Sequence, residues 1–222
     1  MSSPFAIHLP VELGRARRVR FATELVDAVT LERVTSDVKV SAHGLLNRPI
    51  VSASGFFVWL EEAAREPTHV LVDAAGTPYE STLVPVPVLP QRSVRIELSP
   101  RASYPFTRGT TGWRGNLVER LFGTAEVVSG AEVWLQWIDD SAAGTTWRDA
   151  TTHSHTDARG DFAAVLRLAP SQLAQPHPEG GISARLRVRR DGGSVRSSTE
   201  FSLPEGRVAD APAAYAWGEL EP

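Results

Sequence analysis

Turn-forming residues divide this chain into short pieces, and this feature constrains its fold more than any other. Sixteen prolines and 17 glycines are spread along 222 residues, and almost no segment keeps an apolar repeat of helical period. Between the turns lie short runs in which apolar and polar residues alternate or β-branched residues predominate. This pattern is typical of an all-β protein.

The alternating runs predict strands in both halves of the chain. In the first half they cover residues 18–26, 37–41, 50–51, 55–60, 69–72 and 93–98. In the second half they cover residues 116–122, 131–138, 162–168, 182–189 and 197–203. The charged residues 61–66 are expected to form a short helical turn or a loop. Residues 204–222 are expected to form an extended tail.

A segment rich in Pro, Gly, Thr and Ser, at residues 99–115, separates the two sets of strands. The length of the chain allows one large domain or two small ones. We place a domain boundary in this segment, so the sequence predicts two tandem Ig-like β-sandwiches at residues 1–106 and 107–222. A faint internal repeat supports this interpretation. In residues 34–59 and again in 128–162, an alternating strand is followed by a small-residue turn, a glycine and an aromatic strand.

Composition excludes several classes of function. The chain has no cysteine, which rules out disulfides, thiol catalysis and cysteine-bound metals. Its formal net charge of −3 gives no reason to expect nucleic acid or an anionic membrane as a partner. No run approaches the length of a membrane span, and residues 1–10 do not resemble a secretory signal. The sequence therefore predicts a cytoplasmic protein without membrane insertion, which can still belong to a larger particle.

One hairpin pattern carries a family resemblance. Gly-Ala-Glu-Val-Trp-Leu at 130–135, followed by Thr-Asp-Ala-Arg-Gly-Asp-Phe at 156–162, resembles the carboxypeptidase-regulatory-like, transthyretin-like domains. The resemblance implies sandwiches of seven or eight strands. In this hairpin we expect Asp157 to cap the turn, Gly160 to adopt a positive φ and Phe162 to enter the core. The first half looks like a divergent copy, with Ser54-Gly55-Phe56 in place of the Asp-x-x-Gly hairpin.

The layout of the whole chain is also similar to accessory proteins encoded with phage-tail-like contractile injection systems. The points of similarity are the two sandwiches and a Pro-Phe-Thr-Arg-Gly linker at 105–109. Such domains serve as spacers, adhesins or docking elements. The resemblance therefore implies a non-catalytic protein that binds a larger protein assembly, with the oligomeric state left open.

Arginines and aromatic residues are the candidates for a binding surface. Arg185, Arg187 and Arg189 alternate with apolar residues, so their guanidinium groups should share one face of a strand. Trp134 and Trp137 should lie on opposite faces of another strand. Exposed Trp and Arg are typical of protein interfaces. The candidate interface residues are Trp113, Trp147, Arg185, Arg187, Arg189, Tyr215 and Trp217.

Two alternatives to a protein interface stay open for the aromatic residues. The tryptophans can instead cover the junction between the two domains. Trp113 or Trp147 can also stack on sugar rings, which would make the protein a carbohydrate- or ligand-binding accessory module.

An enzyme is a third possibility, and it depends on His153 and His155. Alternate residues on a strand point to one side, so two imidazoles can approach one metal ion. No third histidine lies nearby in sequence, and Asp157 is better explained as the hairpin cap. Tyr79, Tyr104 and Tyr215 do not occur in the context of an intradiol dioxygenase iron site, and no Gly-x-Ser-x-Gly nucleophile motif is present. We therefore expect no enzyme activity, metal or cofactor.

Two further motifs have simpler interpretations. Lys39 invites comparison with Lys–Asn isopeptide crosslinks, with Asn47 and Asn116 as the available asparagines, but its alternation with Val38 and Val40 predicts a solvent-facing side chain. Arg159-Gly160-Asp161 matches an integrin-binding tripeptide. That match is expected by chance in a hairpin that requires Gly and Asp.

Overall fold

The structure is a computed structural model and describes residues 18–60, 66–86, 93–120, 126–140 and 146–222. The strands of the first half are β1 (Val19–Asp27), β2 (Lys39–His43), β3 (Ile50–Val51), β4 (Phe57–Leu60), β5 (His69–Asp73), β6 (Thr82–Pro85) and β7 (Ser93–Leu98). Those of the second half are β8 (Thr111–Val118), β9 (Glu132–Asp139), β10 (Thr146–Asp149), β11 (Ser154–His155), β12 (Asp161–Leu166), β13 (Ile182–Arg189), β14 (Val195–Ser197), β15 (Phe201–Leu203), β16 (Val208–Asp210) and β17 (Tyr215–Ala216). One turn of 3-10 helix, Trp217–Glu219, is the only helical element in these ranges.

The predicted all-β class is confirmed, but two strand boundaries are wrong. β8 begins inside the segment interpreted as a linker, because Gly112 and Gly115 allow close approach rather than a turn. A Cβ at Gly115 would lie 2.6 Å from the ring of Phe162 on the neighbouring strand. The predicted strand at 197–203 is divided into β14 and β15. Residues 61–65 and 121–122, on which two predictions fall, lie outside the described ranges.

The first half forms two sheets around one core. One sheet has the order β3-β4-β1-β7 and the other β2-β5-β6. Alternate side chains of both sheets point inward, which places Trp59 and Phe21 against Val70 and Val72. This alternation is what a sheet with one buried face requires.

The second half also consists of two sheets around a core of its own. β12-β8-β16 forms one sheet, with β17 added to β8, and β10-β9-β13-β14 forms the other, with β11 and β15 added. Trp137, Phe162, Leu117 and Leu186 are each 2% exposed or less and share this core. A sandwich-type architecture therefore applies to both halves.

The two halves repeat the same strand pairing. β1 pairs antiparallel with β4 and parallel with β7, while β8 pairs antiparallel with β12 and parallel with β16. In the opposite sheets, β2 pairs antiparallel with β5, and β9 with β13. The order of these strands along the chain is the same in both halves.

Matching hairpins precede β4 and β12. The Asp157 Oδ1 atom accepts a hydrogen bond from the backbone N–H of Asp161 at 3.0 Å, and the Ser52 Oγ atom accepts one from Phe56 at 3.0 Å. Gly160 and Gly55 hold φ values of 79° and 80°. The predicted roles of Asp157 and Gly160 are confirmed, as is that of Phe162, which is completely buried. In the first half the cap is Ser52, and Phe57 takes the place of Phe162.

Most of the predicted tail is instead part of the second sandwich. β16 and β17 both pair with β8, and Leu220 is 6% exposed and lies in the second core. Glu221 then pairs with Ser197 at the edge of the opposite sheet. The segment is ordered in this position because it satisfies the free edges of both sheets.

Polar contacts connect the two halves. Asp27, 4% exposed at the end of β1, accepts hydrogen bonds from the hydroxyl groups of Tyr79 and Tyr104. Tyr104 belongs to the segment before β8, and its backbone oxygen accepts a hydrogen bond from Arg114 at 2.6 Å. His155 of the second half contacts Glu80 of the first.

Candidate functional site

The most unusual surface of the molecule is the outer side of the sheet that contains β9 and β13. On β9, Trp137 points into the core, whereas Trp134 lies on the outer side and stacks on His153. The prediction that the two tryptophans face opposite ways is confirmed. We use the name "arginine face" for the residues on the outer side of this sheet, of which Trp134 and Gln136 are buried beneath their neighbours: Glu132, Trp134, Gln136, Trp147, Asp149, Arg185, Arg187 and Arg189.

Strand register places each arginine opposite a different neighbour on β9. Arg185 lies opposite Gln136, Arg187 opposite Trp134, and Arg189 opposite Glu132. Cross-strand neighbours are the residues that interact across a sheet. Only one of the three arginines therefore has a carboxylate as its direct partner.

That partner, Glu132, is shared by two basic residues. The Arg189 Nε atom donates to Glu132 at 2.7 Å, and the His153 Nδ1 atom lies 2.7 Å from its other oxygen. Burial alone would raise the pKa of Glu132, but the hydrogen bonds from His153 and Arg189 lower it. The ring of Trp134 packs against both basic residues, with the Arg189 Cζ atom 5.9 Å from the ring centroid.

Arg185 lies at the other end of the three arginines and contacts an aromatic ring and a side-chain amide. Its Cζ atom lies 4.4 Å from the centroid of the Trp147 ring, and its Nε atom donates to Gln136 at 2.6 Å. The Asp149 Oδ1 atom accepts from Gln136 and from Trp134, at 2.9 Å in each case. Burial, and then the positive charge of Arg187, lower the pKa of Arg185.

Arg187 lies between the other two. It donates through one terminal nitrogen to Ser197 at 2.9 Å, while its Nε atom is buried without an acceptor in the described part of the chain. Among the described residues, no carboxylate lies within 4.0 Å of Arg185 or Arg187. The arginine face therefore presents two neighbouring guanidinium groups that have no ion-pair partner in the part of the chain that the structure describes.

The other predicted interface residues lie elsewhere. Trp113 is 7% exposed in the second core, where it stacks on Phe201 and donates to the hydroxyl of Tyr215 at 2.9 Å. Burial raises the pKa of Tyr215. Trp217 is half-buried beneath Arg196, whose Cζ atom is 4.7 Å from the ring centroid. Trp113 is thus removed from the surface, because β8 is a central strand and not part of a linker.

The acidic and amide members of the arginine face were not among the residues predicted from the sequence. Glu132 and Gln136 share a side of β9 with Trp134, so alternation alone would have placed them together. Asp149 could not be assigned to this face from the sequence, because it lies there through the pairing of β10 with β9 and no strand was predicted for β10.

The structure separates the two histidines considered as metal ligands. His153 contacts Glu132, whereas the Nδ1 atom of His155 lies 2.7 Å from Glu80 of the first half. In the described ranges, no group of three or more His, Asp or Glu side chains is arranged to hold a metal ion. Tyr79 and Tyr104 converge on Asp27, whereas the hydroxyl of Tyr215 accepts a hydrogen bond from Trp113. The two metal-site hypotheses therefore gain no support from the geometry.

The remaining motifs are occupied by local contacts. Arg159 turns back on its own hairpin and pairs with Asp161 at 3.2 Å. Asn116 donates to the backbone oxygen of Arg159 at 2.7 Å, and the side chain of Lys39 is exposed as predicted. An open cleft of about 480 Å³ lies beside Glu80, Arg101 and His155.

Comparison with known proteins provides no further assignment. No family model matches the chain, and neither a curated protein nor a solved structure is significantly similar to it. The described ranges contain no helix that is long and apolar enough to cross a membrane.

Proposed function

We propose that this protein is a non-catalytic module that docks onto a larger protein assembly through the arginine face. The observation that carries the proposal is the pair Arg185 and Arg187, which lie beside aromatic rings without a carboxylate partner among the described residues. Arg and Trp dominate the binding energy of protein interfaces, and a partner's carboxylates would complete their hydrogen bonding.

We further propose that the two halves are tandem transthyretin-like sandwich domains. The repeated strand pairing and the matching hairpins at Ser52 and Asp157 support this division. A cytoplasmic location is part of the proposal. The layout makes the components of a phage-tail-like contractile injection particle the first partners to test.

Carbohydrate binding has less support than protein binding. A sugar ring stacks on an exposed aromatic face, but Trp113 is buried and Trp147 carries Arg185 on its ring. Both candidate tryptophans therefore already pack against residues of the protein itself.

Charge reversal in native cells tests the docking proposal. The tagged wild-type protein, an Arg185→Glu/Arg187→Glu variant and a control Arg95→Glu/Arg108→Glu variant would be isolated with their associated proteins. Arg95 and Arg108 are exposed and lie outside the arginine face, so the control matches the change in net charge. We expect the associated proteins to be lost from the first variant and kept by the control. Associations that survive reversal of Arg185 and Arg187 would show that the proposal is wrong.

A further inference from the structure

We infer that the arginine face binds an extended acidic segment of a protein partner, with carboxylates at every second residue. The inference deepens the proposed docking function and rests on it. Arg185 and Arg187 project from the same side of one strand, so their Cα atoms are spaced by two strand residues, about 7 Å. An extended peptide presents alternate side chains at the same spacing. A Glu-x-Glu or Asp-x-Glu segment therefore matches the pair in register.

The ion pairs within the arginine face show which of its arginines can still pair with a carboxylate of a partner. Glu132 is shared by Arg189 and His153, so Arg189 is already neutralised by its cross-strand partner. Asp149 is engaged through one oxygen by Trp134 and Gln136. Asp149, Glu221 and Glu200 act on Arg185 through their charges, but among the described residues none forms an ion pair with Arg185 or Arg187. These two arginines are therefore the ones whose guanidinium groups can pair with a partner's carboxylates.

The orientation of these groups suits carboxylate binding. Arg185 rests on the ring of Trp147 and donates a hydrogen bond through Nε to Gln136. A guanidinium that stacks through its face still carries donors along its edge, and these donors can bind a carboxylate in a bidentate manner. Arg187 uses one terminal nitrogen for Ser197, and its second terminal nitrogen can serve a partner.

An acidic polysaccharide is the competing ligand class. The two-residue spacing favours a peptide, because an extended peptide that lies over the outer side of β13 repeats its side chains at the same interval. The spacing of the acidic groups, rather than their number, is thus the property that an experiment should vary.

Fluorescence anisotropy with two labelled peptides tests the inference. One peptide alternates Thr and Glu over eight residues, and the other, the block peptide, has the sequence Glu-Glu-Thr-Thr-Glu-Glu-Thr-Thr. The two have the same composition and charge, but the block peptide contains no Glu-x-Glu pair. Binding would be measured for the wild type, Arg185→Gln, Arg187→Gln and the control Arg189→Gln. Circular dichroism would confirm that each variant is folded, and Arg187→Lys would separate loss of charge from loss of the planar guanidinium.

We expect the alternating peptide to bind more tightly than the block peptide. Arg185→Gln and Arg187→Gln should each weaken its binding by about five-fold, the effect of one partly exposed ion pair. Arg189→Gln should weaken it less than either, because that charge is already paired. Arg187→Lys should fall between the wild type and Arg187→Gln.

Several results would overturn the inference. They are equal binding of the two peptides, an equal effect of Arg189→Gln, and no binding of the alternating peptide. Hyaluronan that binds at Arg185 and Arg187 more tightly than the alternating peptide would assign the site to polysaccharide. If the peptides fail while Arg185→Glu/Arg187→Glu still abolishes the native associations, docking stands and only the acidic-segment inference is lost.

Discussion

The guanidinium carbon of Arg185 lies 4.4 Å from the centroid of the Trp147 ring, so an aromatic side chain holds in place one of the two arginines of this face that lack a carboxylate partner among the described residues. We predict that Trp147→Ala lowers the free energy of unfolding by about 1 kcal/mol, the usual size of a cation–π contact with partial exposure. Trp147→Phe should lower it less, since a smaller ring remains. Urea unfolding measures both. No loss of stability in Trp147→Ala would mean that the Arg185 contact contributes nothing.

Stability should depend on pH through the contact between His155 and Glu80. The hydrogen bond to Glu80 raises the pKa of His155, while burial opposes it. A raised folded-state pKa gives stabilisation that is complete below the unfolded value of about 6.5 and is lost as pH rises through the folded value. We expect Glu80→Gln to destabilise the protein more at about pH 5.5 than at about pH 8.5.

Glu97→Gln is the control for that pH dependence. It removes an ion pair with Arg167, at 3.8 Å, that contains a carboxylate and an arginine but no histidine. Urea unfolding of the wild type and both variants at each pH gives the comparison. If the effect of Glu80→Gln is the same at both pH values, or larger at the higher one, His155 is not stabilised in its charged form by Glu80.

The buried carboxylate of Asp27 should make Tyr104 important for stability. Burial, and then the hydrogen bond to Asp27, raise the pKa of Tyr104 and raise that of Tyr79 to about 12, so both hydroxyl groups stay protonated donors at neutral pH. Hydrogen bonds to charged groups contribute about 1.5–3 kcal/mol, and we expect Tyr104→Phe to lose an amount in this range. Tyr79→Phe should lose less, because Tyr79 is half-buried whereas Tyr104 is 6% exposed. Calorimetry that finds Tyr79→Phe the more damaging change would contradict this ranking.

Glycine substitutions can separate backbone strain from close packing. Gly160 and Gly76 have φ values of 79° and 81°. A Cβ at Gly160 would lie 2.4 Å from the backbone oxygen of Leu117, whereas one at Gly76 would have no atom within 4 Å. We expect Gly76→Ala to lower the free energy of unfolding by about 1–2 kcal/mol, the cost of a left-handed conformation. Gly160→Ala should lower it considerably more. Chemical denaturation that gives equal losses would show that the hairpin relaxes to admit the side chain.

Local pattern was sufficient to predict most strands, because each strand buries one face and exposes the other. β13 coincides with the run predicted at 182–189, and the hairpin at Asp157 has the cap, glycine and aromatic residue expected of it. Prediction failed where pairing between distant segments decides the structure. The glycines of β8 are typical of a linker in sequence, and only the pairing with β12 shows that they allow close packing of two strands. Residues 204–222 have the sequence of a tail because the strand with which they pair lies far away in sequence.

The candidate site was predictable in part for the same reason. The alternation of polar and apolar residues predicts that three arginines share one face of β13. It does not predict which residues of the neighbouring strand lie opposite them. The register with β9 decides that Arg189 meets Glu132 while Arg187 meets Trp134. A shift of two residues would pair a different arginine, so the availability of Arg185 and Arg187 is a property of the fold and not of the local sequence.

Site-specific photocrosslinking in native cells tests the docking claim most directly. A photoreactive benzoylphenylalanine would be placed at Trp147 in one variant and at Leu83 in another. Leu83 is 59% exposed on the outer side of the β2-β5-β6 sheet and serves as the control. The account predicts a crosslinked protein partner from position 147 and none from position 83. Crosslinks from position 83 alone, or from neither position, would contradict docking through the arginine face.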